Sequence, residues 1–403
     1  MTDDRIGQGR HVVVVGGSFA GLGAAYTLRR RLRPEDRVTL ISDQEQFVFA
    51  PSLIWAVLGQ PLLHSSFALE PALRARGIDF LRAHVRQVDV ANRRVATEDE
   101  ELSYDRLLIA TGGRPDTSAV PGLAGEFRAA SWVVGEDSAL EARDVLRSLF
   151  ADPGPLVIGA AEGAGYLSAA YEIALALDTA LRREGVRERV PITFVTAEPY
   201  LGHLGFGQTA ARAKLETLFG ERDIATRTDA AIEWVRRHEV RLAPGETLPA
   251  RAIVMMPPFT GVVDVWKSAE LTDRHGFIPV TEQYRHVKHA EVYAAGVASR
   301  FDRPFPPLCS DRAPQTGYLS LRMGKIAGQN LAASLGCGEA ASRPLPPVFD
   351  VRVLDGGRVG LFLASRGTDR VQNLAYRLPG RSAHLLKVAV ERYLLHQLRT
   401  GSV

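Results

Sequence analysis

Two stretches of the chain share one pattern of apolar and polar positions. Residues 11–42 run from an unbroken apolar segment, "HVVVV", through a glycine turn, "GGSFAG", into an apolar helix-period segment, "LGAAYTLRRRL", and on to "RVTLIS". Residues 155–197 repeat the order with "PLVI", the turn "GAAEGAG", a long Ala/Leu segment and "PITFVT". A short unbroken apolar run bounded by glycine predicts a strand buried on both faces, and a helix-period segment behind it completes a βαβ unit. Two such units predict two stacked nucleotide-type domains.

Further elements fall between and after them. "YDRLLIATGGRPD" reads as a buried strand running into a glycine turn, and "EVYAAGVAS" as another strand ahead of the Pro-rich "RPFPPLCSDRAP". "TGYLSLRMGKIAGQNLAASLG" has helical apolar spacing and stops at Gly336, a natural C-terminal cap. After the linker "SRPLPPVF", two strand-like runs around "DGG" at 355–357 predict a hairpin, followed by a helix from Ala383 to Arg399. The fold class expected is α/β with two Rossmann-like dinucleotide-binding domains. The first is discontinuous, residues 1–115 and 270–337; the second spans 116–269, with a degenerate nucleotide site; residues 338–403 form a C-terminal hairpin and amphipathic helix.

Bulk properties narrow the function. A chain of 403 residues exceeds one ordinary core, and 46% hydrophobic with 24% charged residues is normal for a globular protein. The net charge of +3 comes from basic residues spread along the chain without a Lys/Arg block, which argues against nucleic acid as a partner. No window has the roughly 18 apolar residues of a membrane span. The polar N-terminus lacks a signal-peptide pattern, and two cysteines make no disulfide framework, so a cytoplasmic setting is expected. No metal site is assigned.

The first glycine turn carries nucleotide chemistry. Gly16 permits a tight turn, Gly21 lets the helix approach the sheet, and the backbone N–H groups around Ser18, Phe19 and Ala20 face a pyrophosphate, although Ser18 replaces the middle glycine. Ser42 and Asp43, at the end of the second strand, stand where a ribose is gripped; Asp43 reads equally well as a solvated turn residue. "ATGGRP", with Ala110, Thr111 and Gly112, and "VYAAG", ending in Gly296, follow in the order seen in two-domain flavoproteins. The sequence thereby resembles the pyridine nucleotide-disulfide oxidoreductase superfamily, which implies FAD in the first domain.

Within that superfamily, "ISDQEQFVFAPSLIWAVLGQ", "FVTAEPYLGHLGFG", "APQTGYL" and "HLLKVAVERYLLHQLRTG" are similar to sulfide:quinone oxidoreductase. The resemblance implies FAD, a membrane quinone as electron acceptor, and sulfide oxidation through cysteines beside the flavin. It also implies that the second glycine turn has lost its nicotinamide nucleotide. Ala161 and Glu162 give a reason, since Glu162 would place a carboxylate at the helix N-terminus and repel a pyrophosphate.

The cysteines depart from the family. Tyr166 stands where relatives carry a redox cysteine, and the positions near "AASWVVGED" and just before "LDGG" also lack one. Cys309, in the loop ahead of "TGYL", is a candidate for contact with substrate or quinone; Cys337 reads as an inert helix-end residue. Tyr166 is expected beside the flavin, with Glu172 or His203 moving a proton. Each has a bland alternative, an arginine-paired helix residue for Glu172 and a structural hydrogen bond for His203. Gln315, Thr316 and Gly317 begin a helix whose N-terminus points at the flavin's pyrimidine edge, and Phe49 and Trp55 fall in a region that flanks it in relatives. In the last helix Leu386, Ala389, Val390, Tyr393 and Leu394 share a face, which implies peripheral membrane contact at the inner face of the cell membrane; docking on its own domain or on the mate of a homodimer is the alternative. The expectation is an FAD-dependent oxidoreductase with an unnamed small-molecule electron donor, reducing a quinone or another acceptor. The alternatives are a flavin-binding sensor without turnover and an NADH:quinone reductase.

Overall fold

A computed structural model describes residues 9–123, 129–205, 207–262, 269–302, 315–367 and 372–403. "HVVVV" forms the central strand, His11–Val15, of a five-stranded parallel sheet. Across that sheet the strands lie in the order Val292–Ala294, Arg106–Ile109, His11–Val15, Arg37–Ser42 and Asp79–Arg82. Val12, Val13 and Val14 are wholly buried, as a parallel strand covered on both faces requires. On one face the helix Phe19–Arg31 packs against the helix Gly317–Ser334, and small residues set their spacing. A Cβ at Gly324 would lie 2.0 Å from the Ala20 carbonyl oxygen, so a larger residue there would force the helices apart. The three-stranded antiparallel sheet Gln87–Asp89, Arg94–Ala96, Glu101–Ser103 contributes Val88, Val95 and Leu102 to the same core.

The second βαβ unit builds a four-stranded parallel sheet in the order Ala252–Met256, Leu156–Ala160, Ile192–Thr196, Ile224–Arg227. The helices Glu136–Ala151, Leu167–Arg183 and Thr209–Glu221 share its larger core, and the antiparallel strands Ile232–Arg236, Glu239–Leu242 and Glu246–Pro249 form a smaller core with Val157, Val195, Ile253 and Met255. One short helix, Leu53–Val57, crosses between the units: its sequence lies in the first, yet its side chains pack in the second core.

The C-terminal region differs from the expected hairpin. It is a three-stranded antiparallel meander, Val348–Asp355, Val359–Arg366 and Gln372–Pro379, followed by the helix Ser382–Thr400. The third strand, "QNLAYRLP", is an edge strand with no fully buried residue, so it lacks the apolar alternation that marks a strand in sequence.

Candidate active site

The sequence around the first turn shapes a cradle. Gly16 has φ 116°, and a Cβ there would sit 2.3 Å from the Ala110 carbonyl oxygen; a Cβ at Gly21 would sit 1.8 Å from the Gly16 oxygen. Both glycines are therefore obligatory for strand and helix to meet. Ser18 is the N-cap of Phe19–Arg31 but makes no side-chain capping bond, which leaves the helix's first N–H groups for an anion. A cavity of about 380 Å³ opens at this point, lined by Gly16, Ser18, Ser42, Asp43, Ala110 and Thr111. Ser42 is buried, and its hydroxyl oxygen accepts the Gln44 N–H at 3.1 Å, while Asp43 is exposed at the rim.

Ser18, Ala110 and Tyr166 also line a second cavity of about 220 Å³, so the two adjoin. Phe19, Ala20, Gly112, Gln315, Thr316 and Gly317 form its side towards the first domain. Thr316 caps Gly317–Ser334, its hydroxyl accepting the Leu319 N–H at 3.2 Å, and a Cβ at Gly317 would strike the Phe19 ring at 2.7 Å. Phe19 meets Phe47 and Phe49 edge to face at 5.0 and 5.5 Å. Gly296, at φ 70°, does not line the cavity itself, but its neighbours Ala295 and Val297 do. Two buried polar atoms in this double cavity, Thr111 Oγ1 and Gln315 Oε1, have no protein partner. A nucleotide half joined to an aromatic-lined half, with an orphaned polar atom in each, fits FAD.

The other wall comes from the second domain and the tail. Tyr166 is the N-cap of Leu167–Arg183, with its ring 5.0 Å from Phe259, and desolvation pushes its phenol above the ordinary range. Nearly two turns further on, Glu172 is buried and ion-paired with Lys387 of the C-terminal helix. It also accepts the Asp355 N–H at 3.2 Å. Burial raises the Glu172 carboxyl above its usual range, and the Lys387 ammonium opposes that shift. His384 Nδ1 lies 2.7 Å from Asp355 Oδ2, and Trp55 packs under both His384 and Lys387. Arg352, buried and bonded through Nε to Asp350 Oδ1 at 2.9 Å, completes the charged groups of the wall.

The structure thus brings Tyr166 and Glu172 to one cavity with the predicted flavin-side residues. His203 is not among the walls; it faces Tyr200, ring to ring at 5.2 Å, in the loop before Thr209–Glu221. Cys309 lies outside the described residues. The alternative partner for Glu172 was an arginine, and the structure supplies Lys387 instead.

The second glycine turn also needs correction. The helix begins at Leu167, so Glu162 is exposed in the preceding turn and does not stand at the helix N-terminus. The acid that matters is Glu198, just past the strand Ile192–Thr196, where a dinucleotide fold grips a ribose. It is buried and accepts from Tyr171 at 2.6 Å and Thr196 at 3.0 Å. Sequence reasoning missed Lys387 and Arg352; each is a charged residue with apolar residues on both sides in the chain, the one signal that could have marked them.

Residues 10–316 match the family described as pyridine nucleotide-disulphide oxidoreductase. The chain is 30% identical to the sulfide-quinone reductase of Aquifex aeolicus, covering 98% of this chain and 92% of that one. The solved structure of the sulfide:quinone oxidoreductase from that bacterium superposes with a TM-score of 0.86 over 97% of this chain and 92% of the other. A NADH dehydrogenase-like protein of Mycobacterium tuberculosis is 28% identical, with 87% of this chain and 86% of that protein covered. The chain belongs to the pyridine nucleotide-disulphide oxidoreductase family, as an FAD-dependent oxidoreductase of the sulfide:quinone oxidoreductase-like group.

Proposed function

We propose that the protein oxidises a small donor other than sulfide and passes the electrons to a quinone. Bound FAD supplies the two-electron chemistry. The carrying observation is that Tyr166 occupies the cavity wall at the helix N-cap, and that no cysteine lines the cavity among the described residues. Sulfide oxidation on this scaffold needs a sulfur electrophile and a thiolate. Quinone as acceptor rests on the similarity to a sulfide-quinone reductase and on the apolar wall of Phe49, Leu53, Ile54, Val390 and Leu394. Glu172 is the group at the cavity wall that exchanges a proton with the reacting molecule, and Lys387 fixes its carboxyl in place. The uncapped start of Leu167–Arg183 and the Thr316-capped start of Gly317–Ser334 both present partial positive charge to the cavity.

Attachment to a membrane surface belongs to the same reading. No helix among the described residues is long and apolar enough to cross a membrane. The outer side of Ser382–Thr400 exposes Leu385 (66%) and Tyr393 (61%), with Arg392, His396 and Arg399 also exposed. The test is anaerobic mixing of the FAD-loaded protein with candidate donors, followed by a soluble quinone analogue. Bleaching by a donor and recovery of the yellow colour by the quinone support the proposal; no reoxidation by any quinone overturns it.

A further inference from the structure

Glu172 is tied to a group that solvent reaches. Lys387 is its ion-pair partner, and the Asp355 N–H donates to its Oε1 at 3.2 Å. Asp355 continues the chain outward. Its Oδ2 lies 2.7 Å from His384 Nδ1, and because an ionised carboxylate can only accept, Nδ1 carries the proton. The other oxygen, Oδ1, accepts the Gly357 N–H at 2.9 Å, which holds the carboxylate in its orientation towards the imidazole. The Asp355 side chain is 6% exposed and the His384 side chain 35%, so the first is sheltered while the second trades protons with water. His384 and Lys387 lie about one turn apart on Ser382–Thr400 and both pack on the Trp55 ring, at 5.4 and 5.2 Å, which fixes their spacing. The remaining charged groups of this wall have partners of their own: Arg352 is ion-paired with Asp350, and Glu391 accepts from Ser52.

The electrostatics follow from that order. Asp355 is the neighbouring charge that tightens the hold of Glu172 on its proton, against the Lys387 ammonium. A protonated imidazole beside Asp355 cancels much of that charge, and histidine changes its charge in the neutral range. Charged His384 therefore loosens the Glu172 proton, and neutral His384 tightens it. We propose that His384 is a positioning residue that acts through Asp355 on Glu172 and sets how readily Glu172 exchanges its proton with the reacting molecule. The proposal rests on the reading above that Glu172 is the exchanging group, and it adds the solvent-facing residue that governs it. The cavity thereby responds to the pH outside without being opened to water.

Two substitutions bracket the native residue. His384→Gln is uncharged at every pH, and His384→Arg is a permanent cation. Infrared difference spectra of the FAD-loaded full chain are recorded as pH is varied, and the Glu172 carboxyl band is identified by its loss in Glu172→Gln. Glu172 is expected to hold its proton about tenfold more tightly in His384→Gln than in His384→Arg, the scale of one neighbouring charge. The native protein should follow the arginine variant at acid pH and the glutamine variant at alkaline pH. A merely structural role for His384 would shift both variants alike. Asp355→Asn, nearly equal in shape, should loosen the Glu172 proton and abolish the difference between the two variants at 384. That substitution, made in the native chain, decides the matter if either variant at 384 fails to load FAD. Coincident Glu172 titrations in the two variants, or a titration unmoved by Asp355→Asn, overturn the proposal. If the coupling holds but Glu172→Gln leaves quinone reduction unchanged, the coupling stands and the reading of Glu172 as the exchanging group falls.

Discussion

Glu172 is the residue whose environment makes the sharpest statement. Its carboxyl is buried and its pKa is raised from 4.5, because desolvation outweighs the Lys387 ammonium. The unfolded chain releases this proton near 4.5, while the folded chain holds it to higher pH, so the folded state binds more protons in between. Stability contributed by the group is therefore fully present below that value and is lost as pH rises through the raised folded pKa. Glu172→Gln has no such proton, so the stability of the native protein relative to this variant should fall as pH rises above 4.5 and then level off. Denaturant melts of both proteins across the acid range measure it. A rise over that window would mean that Lys387 dominates after all. The sequence marked Glu172 through its resemblance, but not its partner, since Lys387 lies 215 residues away in the chain.

At the scale of elements, two helices show what periodicity reveals and what it hides. Leu167–Arg183 was legible as a helix after a glycine turn, yet its start was not, because Gly165 and Tyr166 extend the turn. A Cβ at Gly165 would fall 1.8 Å from Gln315 Oε1 and 2.2 Å from the Phe259 ring, so the turn is pinned to the flavin-side wall. NADH should consequently bleach the flavin slowly and without saturation at micromolar levels, as Glu198 is already held by Tyr171 and Thr196 and cannot grip a ribose. Stopped-flow mixing with NADH checks this, and fast saturable bleaching contradicts it.

The helix Ser382–Thr400 was legible in extent but not in orientation. Its inward residues are Ala383, Lys387, Glu391, Leu394 and Leu398, while the expected apolar face is split, with Ala389 and Tyr393 exposed. Periodicity places charges outside, but Lys387 and Glu391 turn inward because Glu172 and Ser52 await them, Ser52 donating to Glu391 at 2.6 Å. Deleting the helix would strip a cavity wall and leave Glu172 unpaired, so loss of bound FAD is expected. Leu385→Glu with Tyr393→Glu alters only the outer side. The double variant should leave the flavin spectrum intact and no longer sediment with vesicles of phosphatidylglycerol and phosphatidylcholine. Undiminished sedimentation would exclude this face as the membrane contact.

For the whole molecule, the inner strands of the two parallel sheets, such as His11–Val15 and Leu156–Ala160, were legible because they are apolar on both sides, whereas the partly exposed edge strands Asp79–Arg82 and Ile224–Arg227 and the joining pieces were not. Leu53–Val57 carries no mark of the core it enters, and the third meander strand is polar. The same assembly determines how the protein meets sulfide. Cys337 follows the far end of Gly317–Ser334, an 18-residue helix whose other end, at Thr316, lines the cavity. At 1.5 Å per residue that separation is about 27 Å. Cys337 is half-buried against the first core, so it cannot reach the cavity without unfolding that helix. Hydrosulfide entering the cavity then meets the Tyr166 ring, and no cysteine among the described residues lines the cavity to hold the sulfur. Direct attack on the flavin lacks the positioning of a covalent relay, an effect that reaches about 7–11 kcal/mol. Sulfide should therefore reduce the flavin slowly, and Tyr166→Cys should not restore full activity, because the relay needs a second sulfur. Anaerobic mixing with sulfide, followed by assay of protein-bound sulfur, measures both variants. Millisecond bleaching of the native protein with bound polysulfide would refute this account and identify Cys309 as the nucleophile.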